Sequence, residues 1–290
     1  MDIIKRAVLF GAKAIVSVVD SSDILNEVMA TQGFSEPVAR AMGKLLTITA
    51  FMSGNFKSEG SKLTLMVDGG GAIGKMIACG DYGAKVRARC DNPKACMAAP
   101  NTSVEQLVGN VGQLQVIRDL GMKQPYNGVC SLVNGSIDFD FAYYFTESEQ
   151  LPTAISCASV FKDGKCIKNG GIIIQPMPNC EDYILTVLED IATNFGDYAS
   201  IMMTKTPEEI INYYFGHFEI KILDDIVPQY KCSCSIERIC SMVKALGKQE
   251  ALKICEESGS IEVVCEFCNK KYTLNTADIQ KIFDETDKKD

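Results

Sequence analysis

The sequence predicts an α+β fold in three parts. Over 1–178, segments typical of strands and helices follow one another without the regular alternation of a doubly wound sheet. Over 179–230 the pattern changes to amphipathic helices of mixed charge, and 231–290 is a short polar tail with two cysteine pairs. We therefore expect an N-terminal mixed β-sheet domain with packed helices, a helical connector and a small C-terminal domain.

Two helices are predicted near the N-terminus. The polar run 21–23 can cap a helix through 24–29, and Ser35 with Pro37 begins a longer helix whose apolar residues continue to Phe51. Because apolar residues recur at helical spacing in both segments, we expect both helices to face a core.

The strands of the first part are short. The segment 62–67 alternates apolar and polar residues, and 75–78 and 85–89 flank a turn at 81–83, as the arms of a hairpin do. Further strands are predicted at 114–117, 129–133 and 171–175.

The connector carries two helical signals. Apolar residues from Ile184 to Phe195 recur at helical spacing, and Thr206, followed by a proline and then by Glu209, forms a capping box. The amphipathic pattern favours helices that pack on the first domain. The alternative is a segment of conditional stability.

The tail contains the pairs Cys232-x-Cys234 and Cys265-x-x-Cys268, separated by about thirty residues. Four thiols at this spacing can surround one Zn²⁺ as a tetrahedron. Their neighbours in the sequence are mostly polar, which argues against buried core cysteines. We therefore predict that Cys232, Cys234, Cys265 and Cys268 are metal ligands and that one Zn²⁺ is the cofactor.

Composition excludes several classes of protein. The net charge is −8 at pH 7 and no long basic stripe is present, which argues against nucleic acid as a partner. No apolar run reaches the roughly 18 residues of a membrane span, and the N-terminus lacks a signal-peptide pattern. Thirteen cysteines, mostly single, are typical of reduced thiols. We expect a cytoplasmic protein that does not bind membranes.

A glycine-rich turn follows the first predicted strand. Gly69, Gly71 and Gly74 match a dinucleotide-binding pattern, and Asp91 lies near the distance expected of a ribose ligand. That pattern requires a helix next, whereas 75–80 is typical of a strand. We interpret the glycines as a tight turn.

His217 is the only histidine of the chain. The run 217–219 with the later Cys265 and Cys268 is similar to a zinc-deaminase signature, but Val264 replaces its proline and the first cysteine pair is left unexplained. Because the chain has a single histidine, multi-histidine metal sites are excluded. A Ser-His-Asp triad is possible only if His217 is its base. We expect a structural histidine at a helix end and no enzyme active site.

The cysteine pairs are also candidates for redox chemistry. Metal-bound sulfur is thiolate, the form that oxidants attack, and each pair can close a disulfide, with more strain in the tighter ring of Cys232 and Cys234. Oxidation would remove the metal ligands. Zinc supplies about 10–16 kcal/mol of folding free energy in small finger peptides, so the tail would unfold and apolar surface would become available to unfolded proteins.

The cysteine pairs stand within a longer pattern that covers nearly the whole chain. Cys232-Ser233-Cys234-Ser235 with Arg238, and Val264-Cys265-Glu266-Phe267-Cys268 with Tyr272, resemble the redox-switch domain of the thirty-three-kilodalton heat-shock protein family, the bacterial redox-regulated holdase chaperones. Upstream segments that resemble the family, in family order, are 19–20, 69–71, 86–87, 92–93, 119–121, 125–128, 144–145, 148–150, 170–171 and 175–178.

The resemblance implies an ATP-independent chaperone of the stress response, not an enzyme, that is zinc-bound and inactive when reduced. It implies that Cys265 and Cys268, then Cys232 and Cys234, form disulfides on oxidation, with loss of zinc, unfolding of the tail and destabilisation of the connector. It also implies homodimerisation on activation, unfolded or partly folded clients, and transfer of clients to ATP-dependent foldase chaperones.

Two departures from the family pattern bear on these expectations. Cys240 and Cys255 lie between the pairs, so other ligands and other disulfide pairings stay open. Ala72 stands where the glycine turn often carries proline, which affects local stiffness.

The client surface is not located by the sequence. Strand faces of the first domain are candidates, as are connector residues Ile184, Leu188, Ile191, Tyr213, Tyr214 and Phe215. Two other functions remain as alternatives: a structural zinc-ribbon interaction protein without redox switching, and an enzyme whose zinc only stabilises a lobe.

Overall fold

The computed structural model describes residues 1–96 and 103–284 and divides the chain into two units, Met1–Lys231 and Cys232–Asp290. The predicted α+β class is confirmed. The further division of the first unit at residue 178 stays a prediction. Residues 285–290 of the predicted small domain lie outside the described residues.

The first unit combines two sheets with helices. Its strands are β1 (Ile3–Leu9), β2 (Ala14–Asp20), β3 (Lys62–Asp68), β4 (Met76–Asp81), β5 (Lys85–Cys90), β6 (Gln113–Asp119), β7 (Tyr126–Ser131), β8 (Ala154–Lys162), β9 (Lys165–Pro176), β10 (Ile220–Ile222) and β11 (Gln229–Tyr230). Its helices are α1 (Ser22–Gln32), α2 (Glu36–Gly54), α3 (Val104–Val108), α4 (Ile137–Glu149), α5 (Asp182–Thr193), α6 (Tyr198–Thr204) and α7 (Pro207–Phe215), with a 3₁₀ turn at Asn194–Asp197. No helix among the described residues is long and apolar enough to cross a bilayer.

Helix α2 forms the centre of the first unit. One sheet has the order β10-β1-β2-β9-β8 and is antiparallel, and the other has the order β11-β5-β4-β3-β6-β7 with a single parallel pair, β11 and β5. Helix α2 packs against strands of both sheets, and its Leu45, Leu46 and Ile48 are fully buried. A side chain at Gly43 would meet the Asn169 Oδ1 atom at 2.3 Å, so α2 and β9 approach closely because this residue is glycine.

The predicted helices at 24–29 and 37–51 and the predicted hairpin are confirmed. The strand predicted at 129–133 is β7, which ends two residues earlier. The reason is that the Asp140 carboxylate accepts the backbone N–H groups of Val133 and Asn134 at 2.8 and 3.3 Å, so these donors close a turn.

The glycines at 69–74 form a turn, as predicted, and β4 follows them where a dinucleotide site needs a helix. Gly70 and Gly74 have φ of +73° and +68°, which favours glycine. The Asp91 carboxylate accepts the Lys75 N–H at 3.0 Å and so supports the turn.

The connector covers the face of the first sheet that α2 leaves open. Apolar residues of α5, the 3₁₀ turn, α6 and α7 form a second core with β1, β2 and β9. The predicted capping box of α7 is confirmed, because Thr206 and Glu209 exchange hydrogen bonds of 2.7 and 3.3 Å. The predicted connector contains these helices and also two short strands, because β10 pairs with the edge strand β1 and β11 pairs with β5.

The second unit is built from three helices and a hairpin over its described residues. Its elements are α8 (Ile236–Leu246), α9 (Lys248–Ser258), β12 (Ile261–Val264), β13 (Lys271–Leu274) and α10 (Thr276–Asp284). The core beneath them is small and consists of Ile239, Val243, Ala251, Cys255, Ile261, Tyr272, Leu274, Ile279 and Ile282.

Candidate metal centre

Four cysteine sulfur atoms meet in the second unit. Cys232 and Cys234 precede α8, and Cys265 and Cys268 lie in the turn between β12 and β13. The four Sγ atoms all lie within 4.8 Å of one another. The separation is 3.6 Å between Cys232 and Cys265 and 3.4 Å between Cys234 and Cys268.

The β12–β13 hairpin presents the second pair at its tip. Cys265 N–H donates to the Lys270 carbonyl at 2.9 Å, and Asn269 N–H donates to the Cys265 carbonyl at 2.8 Å. Asn269 has a φ of +56°, a left-handed conformation that asparagine adopts more readily than most residues. This tight turn places both sulfur atoms on one side of the hairpin end.

The first pair is held by the start of α8. The Ser235 side chain caps the helix by accepting the Arg238 N–H at 3.4 Å. The Arg238 guanidinium donates to the carbonyl and hydroxyl oxygens of Ser233 at 3.1 and 2.9 Å. Ser233 separates the two cysteines, so these bonds fix the segment from which both thiols project.

The arrangement fits a metal ion. Metal–sulfur bonds of about 2.3 Å in a tetrahedron require sulfur atoms about 3.8 Å apart. The separations of 3.6 and 3.4 Å are slightly shorter than this value, and all four sulfur atoms lie within 4.8 Å of one another. The cluster could therefore hold a metal ion after small shifts of the thiols. An all-cysteine donor set is typical of closed structural zinc sites, which have no open position for water.

The four thiols differ in their electrostatic environment. Burial raises the pKa of Cys232 and of Cys268. Burial opposes ionisation of Cys234 as well, but hydrogen bonds from Tyr272 and the neighbouring thiols outweigh it and lower its pKa to about 7. These hydrogen bonds thus stabilise the thiolate form of Cys234.

Sequence reasoning did not assign a role to Tyr272, although this residue belongs to the resembling segment. Its hydroxyl donates a hydrogen bond of 3.2 Å to Cys234 Sγ, and this contact raises the pKa of the phenol to about 12. The available signal was alternation along β13, where Tyr272 and Leu274 are buried between exposed residues. That pattern indicates packing but not the hydroxyl contact.

The additional cysteines of the second unit are not members of the cluster. Cys255 is 3 % exposed in the core, and its thiol lies 3.8 Å from the Leu274 carbonyl. Cys240 is half-buried against the same core. All thirteen cysteines of the chain are free thiols in the structure.

His217 lies exposed in the turn after α7. The cluster of possible metal ligands found among the described residues consists of cysteines alone. The deaminase arrangement of one histidine with two cysteines is therefore not formed.

The candidate client-binding residues of the connector fall into two groups. Ile184, Leu188 and Phe215 are buried in the second core of the first unit, whereas Tyr213 is 57 % exposed. Ile191 and Tyr214 pack at the margin of that core. Most of these side chains thus already have an apolar partner surface.

Comparison with known proteins places these features in one family. A family model described as Hsp33 protein matches residues 2–275. The 33 kDa chaperonin of Thermoanaerobacter sp. (strain X514) is 32 % identical over 286 residues, covering 97 % of each chain. That of Clostridioides difficile (strain 630) is 36 % identical over 249 residues, covering 84 % of this chain and 86 % of the relative.

A solved structure agrees with this result. The crystal structure of the 33 kDa chaperonin (heat shock protein 33 homolog) from Thermotoga maritima superposes with a TM-score of 0.88 at 25 % sequence identity. The match covers 99 % of both chains.

Proposed function

Since the chain belongs to the Hsp33 family of chaperones, we propose that it is a redox-regulated, ATP-independent holdase. In the reduced state Cys232, Cys234, Cys265 and Cys268 hold one Zn²⁺ and the protein is inactive. On oxidation the pairs Cys232–Cys234 and Cys265–Cys268 become disulfides, zinc is released, the C-terminal region unfolds and unfolding proteins are bound. The meeting of four sulfur atoms within 4.8 Å carries this proposal.

The oxidation step needs a two-electron oxidant such as hydrogen peroxide. One thiolate attacks a peroxide oxygen, the O–O bond breaks, and the cysteine becomes a sulfenic acid. The second thiolate of the pair attacks that sulfur and displaces hydroxide. Each disulfide therefore consumes one peroxide and two protons and yields two waters. A sulfur in a disulfide is no longer an anionic ligand.

The small core of the second unit supports the coupling of oxidation to unfolding. Nine buried apolar residues form that core among the described residues. When bound, zinc would crosslink the segment before α8 to the hairpin tip and supply the folding free energy that so small a core lacks. Without the four thiolate ligands, the remaining contacts have little to set against the conformational entropy of the chain.

The second core of the first unit supports the proposed source of the client surface. Fully buried side chains on the outer face of the first sheet, including Leu9, Val16 and Ile172, are covered by α5, α6 and α7. The ion pairs of Lys5 with Glu208 and Asp225 involve exposed carboxylates and contribute little. Apolar contacts thus hold the connector, and destabilising it would uncover the partner surface for a client.

The proposed partners follow from the same mechanism. The Hsp33 chaperone family implies unfolded clients. We further propose that the oxidised protein forms a homodimer, because uncovered apolar faces also associate with one another. Bound clients would then pass to ATP-dependent foldases, since a holdase performs no refolding. The proposed location is the cytoplasm.

Light scattering of a thermally unfolding client protein tests the proposal. We expect peroxide-treated protein to suppress aggregation without ATP, and the zinc-loaded reduced protein not to do so. Zinc release, followed with a chromogenic chelator, should accompany the gain of activity. The matched control is Cys180→Ser, which removes a half-buried thiol of the first unit and should leave the response unchanged. Absence of protection by the oxidised protein would overturn the proposal.

A further inference from the structure

The cysteine cluster is asymmetric in its hydrogen bonds to side chains. The Tyr272 hydroxyl donates to Cys234 Sγ at 3.2 Å, across 38 positions of the sequence. This bond reaches the first pair, for which the resemblance to the Hsp33 family implies the later oxidation. The inference below rests on the proposed function and deepens it.

The position of Tyr272 is fixed by packing. The residue is 7 % exposed in the core of the second unit, and on β13 it lies opposite Val263 of β12. Its ring is therefore held by the hairpin and the helices, while its hydroxyl points at the sulfur atom. A hydrogen bond that is held in this way costs little ordering entropy.

A nearby cation strengthens the donor. The Lys270 ammonium lies 5.1 Å from the centroid of the Tyr272 ring. A cation over an aromatic face draws electron density from the ring, so the hydroxyl becomes a better donor. The acceptor is one of the sulfur atoms that hold the metal as thiolate, which makes the bond charge-assisted.

Such a bond has a chemical consequence for oxidation. Attack on peroxide uses a lone pair of the thiolate, and a donor that stabilises this lone pair lowers the intrinsic nucleophilicity of the sulfur. A hydrogen bond to a charged group stabilises the acceptor enough to change an equilibrium constant by a factor of about 10 to 100. About 0.4 to 0.5 of this stabilisation, counted as free energy, appears in the rate of attack. Oxidation of the sulfur should therefore slow about three- to tenfold.

We propose that Tyr272 is a positioning residue that shields Cys234 from oxidants and so delays closure of the Cys232–Cys234 disulfide behind that of Cys265–Cys268. The hydroxyl acts while the second unit is folded, so an oxidant attacks the hairpin pair first and the pair before α8 is oxidised after it. The phenol is itself neither oxidised nor reduced.

The test is the order of oxidation in Tyr272→Phe, which keeps the ring and removes the hydroxyl. Zinc-loaded reduced protein is treated with hydrogen peroxide, free thiols are alkylated at intervals, and mass spectrometry measures each disulfide. In the unchanged protein Cys265–Cys268 should form first. In the variant, formation of Cys232–Cys234 should speed up about three- to tenfold, while Cys265–Cys268 keeps its rate.

The matched control is Val263→Ala, which loosens the hairpin opposite Tyr272 without removing the hydroxyl. If it speeds Cys232–Cys234 as much as Tyr272→Phe does, the effect is one of packing and the proposal fails. An unchanged ratio of the two rates in Tyr272→Phe also overturns it. If the unchanged protein forms neither disulfide, the proposed function fails instead, so the two failures are distinguishable.

A spectroscopic measurement separates the hydrogen bond from stability. With Co²⁺ as the probe metal, loss of a donor to one thiolate should shift the sulfur-to-metal charge-transfer absorption to lower energy in Tyr272→Phe. Val263→Ala should leave the band in place. An identical band in Tyr272→Phe and the unchanged protein would contradict the proposed contact.

Discussion

The cysteines of the two units differ in what surrounds their sulfur atoms. In the first unit they lie singly, and burial raises the pKa of Cys90 to about 11 and that of Cys166 to about 12. In the second unit four sulfur atoms meet, and hydrogen bonds hold the pKa of Cys234 at about 7 despite its burial. The same side chain is thus a packing element in the first unit, whereas four copies of it in the second unit form a cluster that could hold a metal ion.

The hydrophobic cores of the two units differ in size. The first unit buries α2 between two sheets and has a second core beneath the connector, whereas the second unit has one small core beside its cysteines. The first unit can be stable by packing alone. The second unit has only a small core, and its four clustered sulfur atoms are candidate ligands for a metal that would add to its stability.

Metal removal should produce the largest contrast between the units. A strong chelator applied to the reduced zinc-loaded protein should unfold the second unit, because the metal supplies about 10 kcal/mol or more. Amide hydrogen exchange should show lost protection in β12 and β13 and retained protection in β3 and β4. If protection in the hairpin survived chelation, the small core would be sufficient to keep the second unit folded. The expected difference in metal dependence between the two units would then be wrong.

Lys44→Met should destabilise only the first unit, by about 3 kcal/mol. Lys44 on α2 and Asp138 on α4 form an ion pair of 2.9 Å with side chains 18 % and 14 % exposed, and the carboxylate also accepts the Cys157 N–H. The variant leaves Asp138 buried without its cation. Thermal unfolding of the first unit measures the loss, and zinc affinity should not change. The exposed Lys62→Met is the control.

The effect of Lys44→Met should depend on pH with a defined sign. Burial alone would raise the pKa of Asp138, but Lys44 outweighs it and lowers the pKa below its usual value. The pair therefore stabilises the unchanged protein above the unfolded-state pKa, and this contribution is lost as pH falls through the lowered value. In the variant burial prevails and acid neutralises the carboxylate. The difference in the free energy of unfolding between the unchanged protein and Lys44→Met should therefore narrow on acidification. A difference that stayed constant with pH would exclude the ion pair as its cause.

Cys255→Ser should have the smallest effect on stability. It tests the distinction between the clustered cysteines and the core cysteine within the second unit. The thiol is buried in the core and lies outside the cluster, so the substitution should cost about 1 kcal/mol through packing and hydrogen bonding. Disulfide mapping after peroxide should still give the two pairs of the cluster. A changed pairing would show that Cys255 takes part in the redox chemistry. Cys240→Ser is a parallel variant at a half-buried position.

Local features of the sequence predicted much of the first unit and the members of the cluster. The capping box at Thr206, the 75–89 hairpin and the glycine turn depend on residues a few positions apart, and all three are present. The spacing of the cysteine pairs likewise identified the four residues whose sulfur atoms meet. Such signals act over one turn of helix or one strand, so they can be recognised without knowledge of the fold.

The tertiary structure decided the contacts between distant segments. Three kinds of contact join residues whose local sequence gives no sign of the partner. They are the pairing of β10 and β11 with edge strands, the hydrogen bond from Val133 N–H after β7 to the Asp140 carboxylate, and the hydrogen bond from Tyr272 to Cys234. Their formation depends on where packed elements bring side chains and free backbone groups. The sequence by itself therefore determined which sulfur atoms assemble, and only the fold determined which of them receives the tyrosine hydroxyl.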